Sequence, residues 1–249
     1  MRKYNLKHIQ SLKHRKYRKK YNEFFIEGKR IISEALKNKS STKVIFFSNL
    51  FTKRDPKFVD KIILSGIPNE QVSDSEVNNM SQTKTPSGIL AVCTIPIHDK
   101  FDFKTSNWLY LDHISDPGNL GSLLRTAAWF NIKNIALSPN SLDPYNPKVV
   151  RSAMGIHFNI KIHTQVDIDK FKNKGYYTIG ADHRGTPISD VLSLPSKYII
   201  VLGGEAHGIP EKVMKKLDIS LSIPKHGFGN SLNVAVAGAL IIQTLSNLK

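Results

Sequence analysis

The sequence predicts an α/β protein whose larger part is a mostly parallel sheet covered by helices. Three observations carry the prediction. Short apolar runs alternate with helical periodicities through the second half of the chain; each run closes on a polar, turn-forming loop; and a shorter alternation of the same kind precedes Pro96. Strands that alternate with helices pair in parallel and are buried on both faces. Ligands of such sheets bind beyond the carboxyl ends of the strands. A length of 249 residues accommodates two domains.

In chain order, Arg2 to Lys20 contains nine Lys or Arg and no acid. Such a block repels itself in isolation and contacts a polyanion or stays disordered, the alternative being a solvated tail. Tyr4 and Tyr17 within it are placed to stack on bases. From Phe24, FFIEGKRIISEALKN reads as an amphipathic helix, KVIFFSN as a strand, FVDKIILSG as a helix and GILAVCTI as a strand, together a small α/β domain. Pro96 through Ser106 is polar and aperiodic, a linker. Beyond it, strands fall at NWLYLDH, IKNIALS, FNIKIH, GYYTIG, KYIIVLG and LSIP, with a helix after Asn119 and a long final helix from about Ser231.

A net charge of +16 and a pI near 9.8 predict attraction to polyanions, nucleic acid or an anionic membrane. No apolar run approaches the ~20 residues needed to cross a bilayer, and MRKYNLKHIQ lacks the apolar stretch of a secretory signal, so a soluble, cytoplasmic protein is expected. A mitochondrial transit peptide is disfavoured by the scarcity of serine there. Cys93, the only cysteine, sits in the apolar run GILAVC and excludes a disulfide framework or a cysteine metal site. Nine histidines without H-x-x-x-H spacing give no support to zinc.

Three loops that follow strands carry the candidate chemistry. The first is Asp116-Pro117-Gly118-Asn119, where Asn119 is suited to cap the next helix. In that helix Leu120, Leu123, Leu124, Ala127 and Ala128 form a buried stripe, Arg125 lies off it, and Trp129 projects roughly opposite its centre, where a partner or substrate would cover it. The second is Gly203-Gly204-Glu205-Ala206-His207-Gly208, whose adjacent glycines let backbone amides approach a ligand. Its spacing matches neither the dinucleotide nor the P-loop pattern. The third runs from Ile223 to Asn233, with Ser231 the expected N-cap of the final helix and Asn233 in its first turn. From Ser231 to Asn247 no charge appears and apolar side chains occupy nearly every sector. Such a helix is buried all round, between subunits or in the monomer core.

Taken together, DPGNLGSLLRTA, VLGGEAHGIP and IPKHGFGNSLNVAVAGAL resemble, in order and spacing, the three motifs of the SpoU (TrmH-like) family of RNA 2′-O-ribose methyltransferases. NPKVVRSAMGIHF, with Arg151, Ser152 and Gly155, resembles the family's connecting segment, and FFIEGKRIISEAL the ribosomal-protein-like α/β substrate-binding domain of many members. The resemblance implies a basic N-terminal extension over residues 1–22, an RNA substrate-binding domain over 23–95, a linker over 96–106 and a catalytic domain over 107–249. It implies a SPOUT fold whose C-terminal segment forms a deep trefoil knot, an exception to the rule against knotted chains. S-adenosylmethionine would lie in that knot, its contacts falling on Gly203, Ile223 and Leu232. The family's functional polar residues fall on Asn119, Arg125, Glu205, Ser231 and Asn233. The implied partners are structured RNA, ribosomal ahead of transfer RNA, and a second copy of the chain through the final helix; no metal is implied. Departures are Gly204, where many members have Asn or Ala, and the bulky His207. The alternative on the same fold is a non-catalytic RNA-binding or ribosome-assembly factor.

Transfer of a methyl group from a sulfonium requires alignment of the 2′-oxygen with the methyl carbon and a destination for the hydroxyl proton. The family's proposals make the arginine matching Arg125 a base. A guanidinium with pKa above ~12 serves more readily as a clamp on the adjacent phosphate and a stabiliser of the developing alkoxide. In this expectation Arg125 and Asn119 engage the RNA, while Glu205, Ser231 and Asn233 orient Arg125 or the nucleotide.

Overall fold

The computed structural model describes residues 4–98, 101–104 and 107–248, Ser40 by its backbone alone. The elements run α1 (Leu6–Ser11), α2 (Arg15–Tyr21), β1 (Glu23–Glu27), α3 (Lys29–Lys37), β2 (Thr42–Ser48), α4 (Asn49–Arg54), α5 (Pro56–Leu64), β3 (Asn69–Val72), α6 (Asp74–Met80) and β4 (Ile89–Thr94). There follow β5 (Asn107–Asp112), α7 (Pro117–Trp129), β6 (Asn134–Leu137), α8 (Pro147–Ser152), β7 (Lys161–His163), α9 (Asp169–Lys172), β8 (Tyr177–Pro187), β9 (Tyr198–Gly203), α10 (Glu211–Met214), β10 (Ile219–Ser222) and α11 (Val234–Ser246). Two compact units result: Met1–Ile97 with Asp143–Phe158, and His98–Leu142 with Asn159–Lys249.

The first unit is built on a sheet of order β1-β4-β2-β3, in which β4 runs antiparallel to both neighbours and β3 parallel to β2. Alternate residues of its strands serve two cores. Phe24, Ile26, Ile45, Phe47, Ala91 and Cys93 face α3 and α5. Phe25, Phe46, Leu90 and Val92 face Ile9 and Leu12 together with Val77 and Met80 of α6.

Two expectations are corrected here. FFIE does not open a helix: all five residues of β1 are buried, and the helix starts only after Gly28, whose φ of +103° a side chain would resist. A short apolar run sealed on both faces has no periodicity that tells strand from helix. Nor is the basic segment a solvated tail. Among its described residues it forms α1 and α2, with Ile9 and Leu12 fully buried in the core. Arg18 is 2% exposed and ion-paired with Asp143, and donates also to the carbonyls of Leu12 and Lys13 at 2.7 and 2.8 Å. Arg2 and Lys3 lie outside the described residues, as do Asp99, Lys100, Thr105 and Ser106 of the linker.

The stretch NPKVVRSAMGIHF belongs with the first unit, since Val150 joins its core, Phe158 packs against it and Gly155, at φ +85°, lies against Ile31. His157 is fully buried, its Nε2 2.8 Å from the Pro144 carbonyl, and burial pulls its pKa down to about 4.

The second unit contains a sheet of order β10-β8-β9-β5-β6-β7 whose described pairings are all parallel, as the strand–helix alternation predicts. One face carries Trp108, Tyr110, Ile199 and Val201 against Phe171, Tyr176 and Ile209. Phe101 and Phe103, at the linker's end, stack on Trp108 with that cluster. On the other face α11 crosses α7 so closely that a Cβ on Gly238 would lie 2.6 Å from both Leu123 and Leu202. Helix α11 buries Gly238, Ile241, Ile242 and Leu245 and leaves Val236 and Leu240 about half exposed. Within the chain it is therefore not buried all round.

Candidate functional site

A parallel sheet sends the chain out of β5, β9 and β10 at one edge, so the loops that follow these strands leave from the same side. Each loop then turns on its own backbone requirements. After β5, His113 adopts a left-handed φ of +53° and donates its N–H to Ser138 Oγ at 3.0 Å. Asp116, not Asn119, caps α7, accepting the Asn119 N–H at 2.8 Å, and Pro117 occupies the first turn, where no N–H is needed. The cap lies three residues earlier than the apolar stripe suggested, and this frees the Asn119 side chain.

After β9, a Cβ on Gly203 would fall 2.0 Å from the Gly208 carbonyl carbon, and one on Gly204 2.6 Å from the His113 oxygen. These glycines serve first to let the loop close on itself and on the β5 loop. At the start of α11 the cap is Asn233, not Ser231: its Oδ1 accepts the N–H groups of Ala235 and Val236 at 2.8 and 3.3 Å. Helix α11 begins at Val234, two residues later than Ser231 as cap would require.

The three loops meet in one polar relay. Asn233 Nδ2 donates to Asn119 Oδ1 at 2.9 Å, and Asn119 Nδ2 donates to Glu205 Oε1 at 2.9 Å. Glu205 also accepts from Ser115 N–H at 3.3 Å, Ser115 Oγ at 3.0 Å and Asp116 N–H at 3.2 Å. The polarity is set from both ends. Helix amides claim the oxygen of Asn233, which leaves its NH₂ to face Asn119; the carboxylate of Glu205 accepts only, which calls for the NH₂ of Asn119. Partial burial pushes the Glu205 pKa up, but the donors from Asn119, its own backbone and Ser115 outweigh it and hold the carboxyl below its ordinary value. It is ionised at neutral pH.

Of the residues singled out in the sequence, the structure brings Asn119, Glu205 and Asn233 together. Arg125 and Ser231 are exposed, and their side chains make no hydrogen bond or ion pair among the described residues. Gly203 is buried, Ile223 partly buried, and Leu232 is 52% exposed. Trp129 is exposed within the chain. Sequence reasoning missed Ser115, Asp116 and the pair formed by His113 Nδ1 and the buried Asp112 Oδ1 at 2.7 Å. The available signal for the last was a carboxylate closing the otherwise apolar strand WLYLD.

Residues 106–243 match the model of the SpoU rRNA Methylase family. The chain belongs to this family. Residues 3–91 match the MRM3-like substrate binding domain. The 23S rRNA (guanosine(2553)-2'-O)-methyltransferase RlmP of Bacillus subtilis is 32% identical over 235 residues, covering 93% of this chain and 91% of that protein. A solved TrmH-family protein from Porphyromonas gingivalis is 28% identical with a TM-score of 0.83 over 96% of both chains. The SpoU methyltransferase AviRb of Streptomyces viridochromogenes, solved with its cofactor AdoMet, shares the fold at 22% identity, with a TM-score of 0.81 over 97% of this chain and 96% of that one. The family and the parallel α/β fold expected from the three motifs thus hold. Among the described residues no helix is long and apolar enough to cross a membrane, and no cluster of three or more His, Cys, Asp or Glu is placed to hold a metal.

Proposed function

We propose that this SpoU-family chain methylates a ribose 2′-hydroxyl in RNA, ribosomal ahead of transfer RNA, with S-adenosylmethionine as methyl donor. The observation that carries the reading is the Glu205–Asn119–Asn233 relay, which joins all three family motifs at the carboxyl edge of a parallel sheet. The rRNA substrate in the name of the Bacillus subtilis relative supports the RNA class; a cytoplasmic site of action belongs to the same reading.

The third loop suits such a cofactor. Among the described residues no backbone–backbone hydrogen bond involves residues 224–232, so their C=O groups and the N–H groups of all but Pro224 are open to the edge of a heterocycle, and Ile223 and Leu232 flank them with apolar surface. We assign cofactor contact to Gly203, Ile223 and Leu232. When bound, S-adenosylmethionine supplies a methyl group made electrophilic by its sulfonium. The relay holds the loops in register, so that alignment is prepaid before substrate arrives. Arg125, free of internal partners, clamps the phosphate beside the target ribose and stabilises negative charge developing on the 2′-oxygen. Ser231 presents its exposed hydroxyl to the nucleotide.

Three further parts belong to this reading. The chain from Gly203 through α11 forms a trefoil knot, supported by the likeness to solved family members and by the closure of the β9 loop upon itself. Two copies associate through α11, supported by its half-exposed Val236 and Leu240. RNA binding falls to residues 23–95 and to the basic helices before them, catalysis to residues 107–249, with residues 96–106 between.

The test is incubation with methyl-labelled S-adenosylmethionine and separate pools of unmodified ribosomal and transfer RNA, then digestion and nucleoside chromatography. Label in a 2′-O-methylnucleoside from ribosomal RNA is expected. Label on a base, or none despite measured cofactor binding, overturns the reading.

A further inference from the structure

Helix α2 carries more positive charge than its fold uses. Arg18 is consumed internally, buried against Asp143. The others that stay exposed, Arg15, Lys16, Lys19 and Lys20, have no ion-pair partner among the described residues. Arg15 faces Lys19, and Lys16 faces Lys20, one turn apart, a spacing at which like charges destabilise a helix. Arg15 and Lys16 also sit in the first turn, against the helix dipole. The nearest acid in sequence, Glu23, gives no relief: it is buried, with its oxygens taken by Tyr4 at 3.0 Å and His8 at 2.7 Å.

Aromatic rings stand among these cations. Tyr17 and Tyr21 stack with centroids 6.1 Å apart and planes 12° from parallel, and Tyr21 continues onto His8 at 4.4 Å. Lys16 Nζ lies 4.9 Å from the centroid of Tyr17, and Lys20 Nζ 5.4 Å from that of Tyr21. Tyr21 is 37% exposed on a helix whose neighbours are almost all charged. Cations alone would serve any polyanion. Rings interleaved with cations match a ligand that carries phosphates and accessible π faces together, which is unpaired nucleic acid. In an A-form duplex the bases are stacked on one another and the major groove is too narrow for side chains.

We propose that this face of α2 docks an unpaired stretch of RNA, with Lys16 and Lys20 on its phosphates and Tyr17 and Tyr21 under its bases; the identity of that RNA as substrate rests on the methyltransferase reading. The surface lies wholly within the first unit. It assigns the charge of the N-terminal helices to a loop or single strand of the substrate rather than to its helical stems.

The test is fluorescence anisotropy of the full chain, without S-adenosylmethionine, against a labelled oligouridylate, its duplex with oligoadenylate, and phosphatidylserine vesicles. The single strand is expected to bind tighter than the duplex. Replacing Tyr17 and Tyr21 together by Leu weakens it about tenfold or more, while replacing both by Phe leaves it intact. Lys16→Gln and Lys20→Gln together reduce the slope of log affinity against log salt by about 1.4. Circular dichroism establishes that each variant is folded. Folded Leu variants that bind as the parent does, or vesicles and duplex bound as tightly as the single strand, overturn the proposal in favour of an unspecific cationic patch. Binding is read independently of catalysis. A parent that binds in this way but transfers no methyl group refutes only the enzymatic reading; active enzyme with indifferent variants refutes only this one.

Discussion

Asn233→Asp separates the two tasks that Asn233 performs. Its Oδ1 caps α11 and its Nδ2 feeds the relay. Asp retains the acceptor, adds a negative charge at a helix N-terminus, worth about 0.3–1 kcal/mol when exposed, and so leaves stability equal or slightly raised. Asn233→Ala loses the cap at a cost of about 1 kcal/mol. For the relay the order reverses. Asp places a carboxylate opposite Asn119 Oδ1, two acceptors face to face, and if the Asn119 amide turns over to donate to it, its oxygen then meets Glu205. The bond broken directly, amide to amide, is neutral and worth about 0.5–1.5 kcal/mol, and the acceptor left facing an acceptor adds a repulsion to it. Together these come to about 1.4 kcal/mol, about tenfold in kcat/KM. Urea unfolding and single-turnover methyl transfer measure the two quantities separately. Activity in Asn233→Asp equal to the parent's, with stability unchanged, would refute the relay as a catalytic support and leave Asn233 only a cap.

Arg125→Ala is expected to lower methyl transfer by about 10²–10³ while S-adenosylmethionine binding persists, with Arg125→Lys a poor rescue because a point charge does not reproduce a bidentate clamp; retention of full rate counts against its role. Glu205 has a depressed pKa, so the order it imposes is complete above its ordinary value and is lost as pH falls through the depressed one; rate should decline in that acid window, and Glu205→Gln should remove the decline along with much of the activity. Buried His157, drawn down to about 4, must be neutral in the fold, so unfolding stability should fall as pH drops from about 6.5 towards 4; a stability curve flat across that window in the parent contradicts its burial. Val236→Glu with Leu240→Glu alters only exposed positions of α11 and should convert a sedimenting dimer to monomer; a parent already monomeric at assay concentration removes the dimer.

How much of this was legible follows from what each segment has to signal. The parallel sheet of the second unit was readable because strands such as WLYL and YIIVL are continuous apolar runs closed by turn residues. The motif residues Asn119, Glu205 and Asn233 were readable as types in order, but their joint contact was not, because 114 positions separate Asn119 from Asn233. Caps were misplaced at both helices for one reason. Asp116, Asn119, Ser231 and Asn233 are all competent caps, and only the course of the chain through Pro117 and around Gly229, at φ +106°, decides which side chain reaches the first turn. The N-terminal helices were hidden by their own charge. Of the seven described cations from Lys7 to Lys20 one is buried, and the apolar residues that hold the segment down, Ile9 and Leu12, are too few to mark a period.

The relay also explains why polar residues that stay free are informative. Asn119, Glu205 and Asn233 spend their hydrogen-bonding capacity on one another and on helix and loop amides, so their principal effect is to fix three loops whose sequences cannot fix themselves. Gly203 and Gly204 complete the lock by removing side chains where backbone must meet backbone. What this frame leaves unspent is Arg125, Ser231 and the backbone of residues 224–232. Preorganised catalysis requires that division, rigid support beneath and unpartnered donors above, because a donor already satisfied has little left to give a transition state. On this argument a variant that ties Arg125 into an internal ion pair, such as Ser122→Glu one turn before it on α7, should damage the reaction without touching the relay.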